Sequence, residues 1–223
     1  METAKVKQPG AVRQPATVRE FDVELSRKSL GYNLPQRIGH RLWLPMLLMA
    51  AMAFPVAVVL GIVRADEISS AGDPDTIAAL KDVGAGVTAI AFASVFGAIS
   101  FAIARILGQF RKGGGDLQEA AGRRVETLRM PLTAKLFIAV MAMAMMTLVG
   151  EAVLHFAFAA DVENTQSSLA LAEERATVLS GVRTAGIATY LAAIGLGLAS
   201  IIQVLRFQSV RVRELADEKP VIG

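Results

Sequence analysis

LFIAVMAMAMMTLVGEAVLHFAFAA, residues Leu136–Ala160, is a 25-residue apolar run with one acid, Glu151, and one histidine, His155. A helix needs about 20 residues to cross a hydrocarbon core of about 30 Å. This run is long enough, and so are three others that carry no charge: Leu42–Val63, Val83–Ala104 and Thr184–Leu205. The expected fold is an all-α integral membrane protein with four transmembrane helices. Its only ionisable groups within the spans are then Glu151 and His155, on the third.

Composition agrees with that reading. With 53% hydrophobic residues in 223, the chain is too apolar for an ordinary soluble domain. Spans and connections use nearly all of its length, leaving no room for a separate catalytic domain. The absence of cysteine excludes disulfides, thiolate metal sites and cysteine nucleophiles. The 13 aromatic residues lie mostly inside apolar runs, and no continuous basic stripe accompanies them, which argues against nucleic-acid binding.

Charge sorts the polar segments into two sets. Residues 1–41, 105–135 and 206–223 hold 19 Lys and Arg, whereas the connections 64–82 and 161–183 hold four, with nine acids. Basic residues flanking spans stay cytoplasmic. Both termini are therefore expected inside a plasma (inner) membrane, with the acidic connections outside. The segment 1–41 contains Pro9, Pro15 and Pro35, cannot bury a core, and is expected to be loose or to lie on the bilayer near Phe21–Leu34. No cleavage signal follows a short apolar stretch, so the first span is expected to serve as an uncleaved insertion signal.

Local signals refine the elements. Arg41 and Trp43 suit the headgroup boundary. Pro55 should kink the first span and turn the kink toward protein. Asp73-Pro74 predicts a helix start well before the second span enters the membrane. Gly113-Gly114-Gly115 predicts the end of that helix, with Asp116 capping a short amphipathic stretch through Leu117, Ala120, Val125 and Leu128. Ser167–Leu179 reads as helical, and Pro131 starts the third span.

A weak repeat runs through the chain. At an offset of 89, Leu47, Ala50, Met52, Ala53 and Gly61 fall on Leu136, Ala139, Met141, Ala142 and Gly150. At an offset of 100, Ala85, Gly86, Ala93, Gly97 and Ser100 fall on Ala185, Gly186, Ala193, Gly197 and Ser200. Tandem duplication of a two-helix hairpin accounts for both. Small residues recur every fourth position as Ala85, Ala89, Ala93 and Gly97, and as Ala185, Thr189, Ala193 and Gly197. Such faces let membrane helices approach closely, which predicts that spans two and four pack at the centre.

Glu151 and His155 share a helical face one turn apart. A charge at this depth is costly and normally faces the bundle interior. Glu151 is a candidate proton or cation carrier, because burial disfavours its charged form. His155 is a candidate ligand for haem or a neighbour of a quinone, although the other histidine, His40, belongs to the opposite membrane face. Met141 and Met145, with His155 further along the same face, form a weaker candidate for Cu(I); methionine is also an ordinary filler of helix contacts. In the bland alternative, Glu151 is simply hydrogen-bonded and His155 reaches the outer interface.

No nucleophile–His–Asp pattern, phosphate loop or HExxH motif is present. The leading expectation is a non-catalytic accessory or assembly subunit of a larger membrane complex, contacting lipid and other subunits or copies of itself. The alternative is a small proton- or cation-coupled transporter or channel using Glu151 and His155, or a redox or copper-handling subunit. No cofactor is specified by any motif.

Overall fold

The computed structural model describes residues 17, 20–25, 30–161 and 166–217. Four helices dominate: α1 (Leu34–Ser69), α2 (Pro74–Ala120), α3 (Leu132–Ala160) and α4 (Gln166–Asp217). All four are long and apolar enough to cross a membrane. A two-stranded antiparallel ribbon, β1 (Val23–Leu25) with β2 (Glu126–Leu128), is the departure from an all-α fold.

α2 is the axis of the bundle. Half of its most apolar 18-residue window is buried, against 28% for α3 and α4 and 11% for α1. It packs on all three other helices, and α3 also packs on α4, whereas α1 rests mainly on α2. Spans two and four do touch, but α2 alone holds the centre. On α2, Ala89, Ala93 and Gly97 are buried and Ala85 is half-buried. On α4 the buried line is Gly186, Tyr190, Ala193, Gly197 and Ser200, which leaves Thr189 half-buried and Ala185 exposed. A strict four-residue spacing drifts around a 3.6-residue helix, so the inward line steps by threes and fours instead.

Glycine is used where backbones meet. A Cβ on Gly39 would lie 2.6 Å from the Phe101 carbonyl oxygen and 3.0 Å from the Ala104 Cβ, so α1 sits directly on α2 there. Gly97 faces Met46 of α1 and Met145 of α3, two flexible side chains that fill the space a methyl would need. Gly39→Ala should therefore cost about 1–3 kcal/mol through overpacking. Gly61→Ala, with no atom within 4 Å of the new methyl, should be neutral or stabilising by up to about 1 kcal/mol, since alanine restricts the unfolded chain. Thermal unfolding of the two variants in one detergent compares them; equal losses would refute the close crossing.

Several local expectations are corrected. α1 continues as one helix through Pro45 and Pro55, and Pro55 is exposed on its outer side rather than turned toward protein. α2 begins at Pro74 as its signature suggested, but the Asp73 carboxylate accepts the Thr76 hydroxyl (3.3 Å) rather than a backbone N–H. The glycine triplet does not end α2, which runs on to Ala120. Gly114 and Gly115 are buried against Gln208 and Leu30, so they serve close packing. Val125 and Leu128 belong to the turn and strand after the helix, not to an amphipathic helix.

Nor are the described residues of the N-terminal segment loose. β1 pairs Val23, Glu24 and Leu25 with Leu128, Thr127 and Glu126. Phe21 meets Phe207 edge-on, with ring centroids 5.6 Å apart, and Phe207 is fully buried beneath Phe21, Val23 and Leu128. An aromatic residue buried in this way replaces the missing helical order, because it removes apolar surface that a free segment would leave wet. At the same end, Arg105 lies over the Trp43 ring at 5.0 Å. At the other end, Lys81 of α2 pairs with Glu173 of α4, and Arg175 sits 4.5 Å over the Phe158 ring.

Candidate functional site

The apolar spacing of α3 brings Glu151 and His155 to its inward face, where both are buried. Two partners complete them. Asp82 comes from α2, one turn before Gly86, and Arg183 from α4, one turn before Gly186. Both glycines lie close against α3: Gly86 against Phe156 and the Ala152 carbonyl, and Gly186 against Leu148 and Thr147. Absence of a side chain there lets α2 and α4 close on α3 from two sides and carry their charges to it.

The resulting tetrad is tightly joined. His155 Nδ1 lies 2.9 Å from Asp82 Oδ1. The Arg183 guanidinium donates to Glu151 Oε1 from Nε at 2.7 Å, and Nη2 stands 2.7 Å from the same oxygen. Arg183 Nη2 also donates to the Ala85 carbonyl at 3.0 Å. His155 Nε2 faces two groups, Arg183 Nη2 at 3.3 Å and Glu151 Oε1 at 3.5 Å. The side chains of Asp82, His155 and Glu151 are 4% exposed or less, whereas that of Arg183 is 20% exposed. Glu151 Oε2 is buried without a hydrogen-bond partner among the described residues.

Charge counting shows what this arrangement can do. Within the tetrad itself, two carboxylates against one guanidinium leave one net negative charge, which one proton would cancel; Arg64 and Lys81 line the cavity beyond Asp82. The His155 ring has a hydrogen-bonding solution with or without that proton. When neutral, Nδ1–H donates to Asp82 and Nε2 accepts from Arg183; when protonated, Nε2–H donates to Glu151 instead.

No protein-family model, curated protein or solved structure matches this chain.

Access differs on the two sides of the tetrad. A cavity of about 260 Å³ at the acidic-connection end is lined by Arg64, Lys81, Asp82 and Glu173 with Pro74, Ile77, Ala78, Leu169 and Ala172. Asp82 is thus shared between the cavity wall and the tetrad. On the other side the bundle is closed by Ala93, Ala144, Leu148 and Tyr190, packed with Phe92, Phe96, Met141, Met145 and Ile187.

Met141 and Met145 belong to that apolar plug, where Met145 Sδ accepts the Tyr190 hydroxyl at 3.1 Å. At 1.5 Å per residue they stand about 21 and 15 Å from His155 along α3, so the three do not converge on a copper ion. Both nitrogens of His155 face protein partners, which leaves none for haem iron. His40 stacks on Tyr32 near the start of α1, far from the tetrad. No group of three or more His, Cys, Asp or Glu suited to a metal occurs among the described residues.

Sequence reasoning identified Glu151 and His155 but assigned Asp82 and Arg183 to the connections. A usable signal existed. Each charge abuts an apolar run and lies one turn ahead of a glycine that the other half of the chain repeats, Gly86 or Gly186.

Proposed function

We propose that this chain is a small proton-conducting membrane transporter or channel in which the Asp82–His155–Glu151–Arg183 tetrad takes up and releases one proton. The observation that carries the reading is the tetrad's odd charge count beneath a cavity that reaches Asp82. A metal cation is a poor occupant, because Arg183 stands against Glu151 and would repel it. A proton needs only the alternative hydrogen bond of His155. Movement of the apolar plug around Tyr190 would connect the tetrad to the other face.

The orientation proposed with it is both termini cytoplasmic in a plasma (inner) membrane, on the strength of the Lys and Arg imbalance. The cavity at Asp82 then opens outward. We also read the two hairpins as tandem copies. Gly86, Ala93, Gly97 and Ser100 on α2 are all buried, and so are their counterparts Gly186, Ala193, Gly197 and Ser200 on α4.

Glu151→Gln tests the function. It keeps an oxygen for Arg183 but leaves the tetrad neutral without any proton, so the bundle should fold while proton flux is lost. In liposomes with a trapped pH dye and an imposed potential, the wild type should acidify the lumen faster than empty liposomes, and the variant should fall to their rate. Wild-type flux equal to that of empty liposomes, or undiminished flux in the variant, would sink the proposal. A second reading, an accessory subunit of a larger assembly, is favoured by α1, which rests mainly on α2 and leaves Met52, Val58 and Ile62 more than 60% exposed. Stable partners copurifying in mild detergent would support it.

A further inference from the structure

At the arginine-rich end of the bundle, a second cavity of about 240 Å³ lies beneath the ribbon, between α2, α3 and α4. It shares no residue with the tetrad and plays no part in the proton reading. Its floor is apolar: Leu107, Phe137, Ile138, Val204 and Phe207 line it. Its mouth is polar, with Arg111 of α2 and Arg129 beside β2 among the lining residues. The two zones coincide with the place where the apolar spans give way to charged chain. With the spans in a bilayer, the floor would lie at hydrocarbon depth and the mouth at headgroup depth.

Charge at the mouth is unevenly compensated. Glu126, in the cavity wall, is paired with Arg211 at 3.4 Å, and its Oε2 is buried without a hydrogen-bond donor among the described residues. Arg129 is paired with Asp22 at 3.5 Å, but both side chains are exposed, at 62% and 68%, so water screens that pair. Arg111 is half-buried and has no hydrogen bond or ion pair among the described residues. Glu24 also lines the mouth, but it is exposed on the ribbon. A half-buried guanidinium without an acceptor, at the rim of an apolar pocket, suits an anionic oxygen whose bearer continues as hydrocarbon.

We propose that this cavity binds one anionic phospholipid, with the end of an acyl chain on the Phe137–Phe207 floor and the phosphate on Arg111 and Arg129. The ribbon then acts as the cover of the site, since β2 supplies its wall and β1 holds β2 in place.

Native mass spectrometry of the full chain in detergent, titrated with phosphatidylglycerol, phosphatidylcholine or glycerol phosphate, tests it. Phosphatidylglycerol should be retained at one copy per chain, at least about tenfold more tightly than phosphatidylcholine, whose choline cation offsets the phosphate charge and is repelled by the two guanidinium groups. Arg111→Gln should erase that preference. Ile138→Trp, which fills the floor, should weaken retention of both lipids. Lys135→Gln removes an exposed charge at the same depth outside the cavity and should change nothing. Equal retention of the two lipids, or equal effects of Arg111→Gln and Lys135→Gln, would reduce the binding to general surface attraction and overturn the site. Tight binding of glycerol phosphate alone would replace the lipid by a free anion and overturn it equally.

Discussion

Arg183→Leu is expected to destabilise the bundle by about 3–5 kcal/mol, the cost of leaving a buried charge without its partner. The reason lies in the geometry around Glu151. Arg183 supplies the hydrogen bonds within 3 Å of its carboxylate, and Oε2 has none of its own. Without the guanidinium the tetrad would carry two negative charges against at most one proton on His155. Glu151 would have to take up a proton or open to water, and either outcome separates α3 from α4. The double variant Glu151→Leu with Arg183→Leu removes both members and leaves the self-sufficient Asp82–His155 pair. It should recover most of the loss, because replacing both members of a buried ion pair by apolar groups is often neutral or better. Unfolding of the three proteins by heat or by a graded denaturing detergent, followed by circular dichroism, provides the comparison. A double variant as unstable as Arg183→Leu would show that packing rather than charge balance holds the tetrad.

The same residues explain how far the chain could be read from its sequence. Membrane spans are legible because hydrocarbon imposes one demand, a predominantly apolar run of sufficient length, and all four runs satisfy it. Glu151 and His155 were legible as exceptions to that demand. Asp82 and Arg183 were not, because a charge at the end of a run resembles any residue of a water-exposed connection. Only the close approach of α2 and α4 to α3 draws those two inward. The glycine triplet failed for a related reason. Local propensity reads Gly113–Gly115 as a stop, whereas burial of Gly114 and Gly115 beneath Gln208 and Leu30 returns more than the helix loses by their flexibility.

Position along the chain also hid the ribbon. Val23–Leu25 and Glu126–Leu128 are three residues each and separated by 100 residues of intervening chain. Strands that short have no periodicity to detect. They persist because Phe21 and Phe207 hold one edge and a single buried side chain of α2 holds the other.

That side chain is Gln118, and Gln118→Leu is expected to release the ribbon at a cost of about 2–4 kcal/mol. Gln118 is 1% exposed. Its Oε1 accepts the Glu126 N–H at 2.8 Å and Arg211 Nε at 3.3 Å. Its Nε2 donates to the Glu126 carbonyl at 3.0 Å and to the Gly114 carbonyl at 3.1 Å. One amide thus satisfies both backbone groups of a strand residue, ties β2 to the last turns of α2 and draws in Arg211 of α4. Leucine fills a similar volume but leaves the Glu126 N–H and C=O without these partners, at about 1–3 kcal/mol for each buried group left unpaired. Partial exposure of Glu126 lets water recover some of this, which sets the total below the full sum. Hydrogen exchange at the Glu126 amide should become fast, and trypsin should cut sooner at Arg123 and Arg124, while α3 and the tetrad stay protected. Gln118→Glu retains the acceptor for Glu126 N–H and Arg211 and loses only the two donated bonds, so its protection should lie between the two. Since β2 walls the inner cavity, Gln118→Leu should also loosen phosphatidylglycerol without touching any group assigned to bind it. Unchanged exchange at Glu126 would mean that the aromatic contact of Phe21 with Phe207 suffices to hold the ribbon, and the amide would lose the role given to it here.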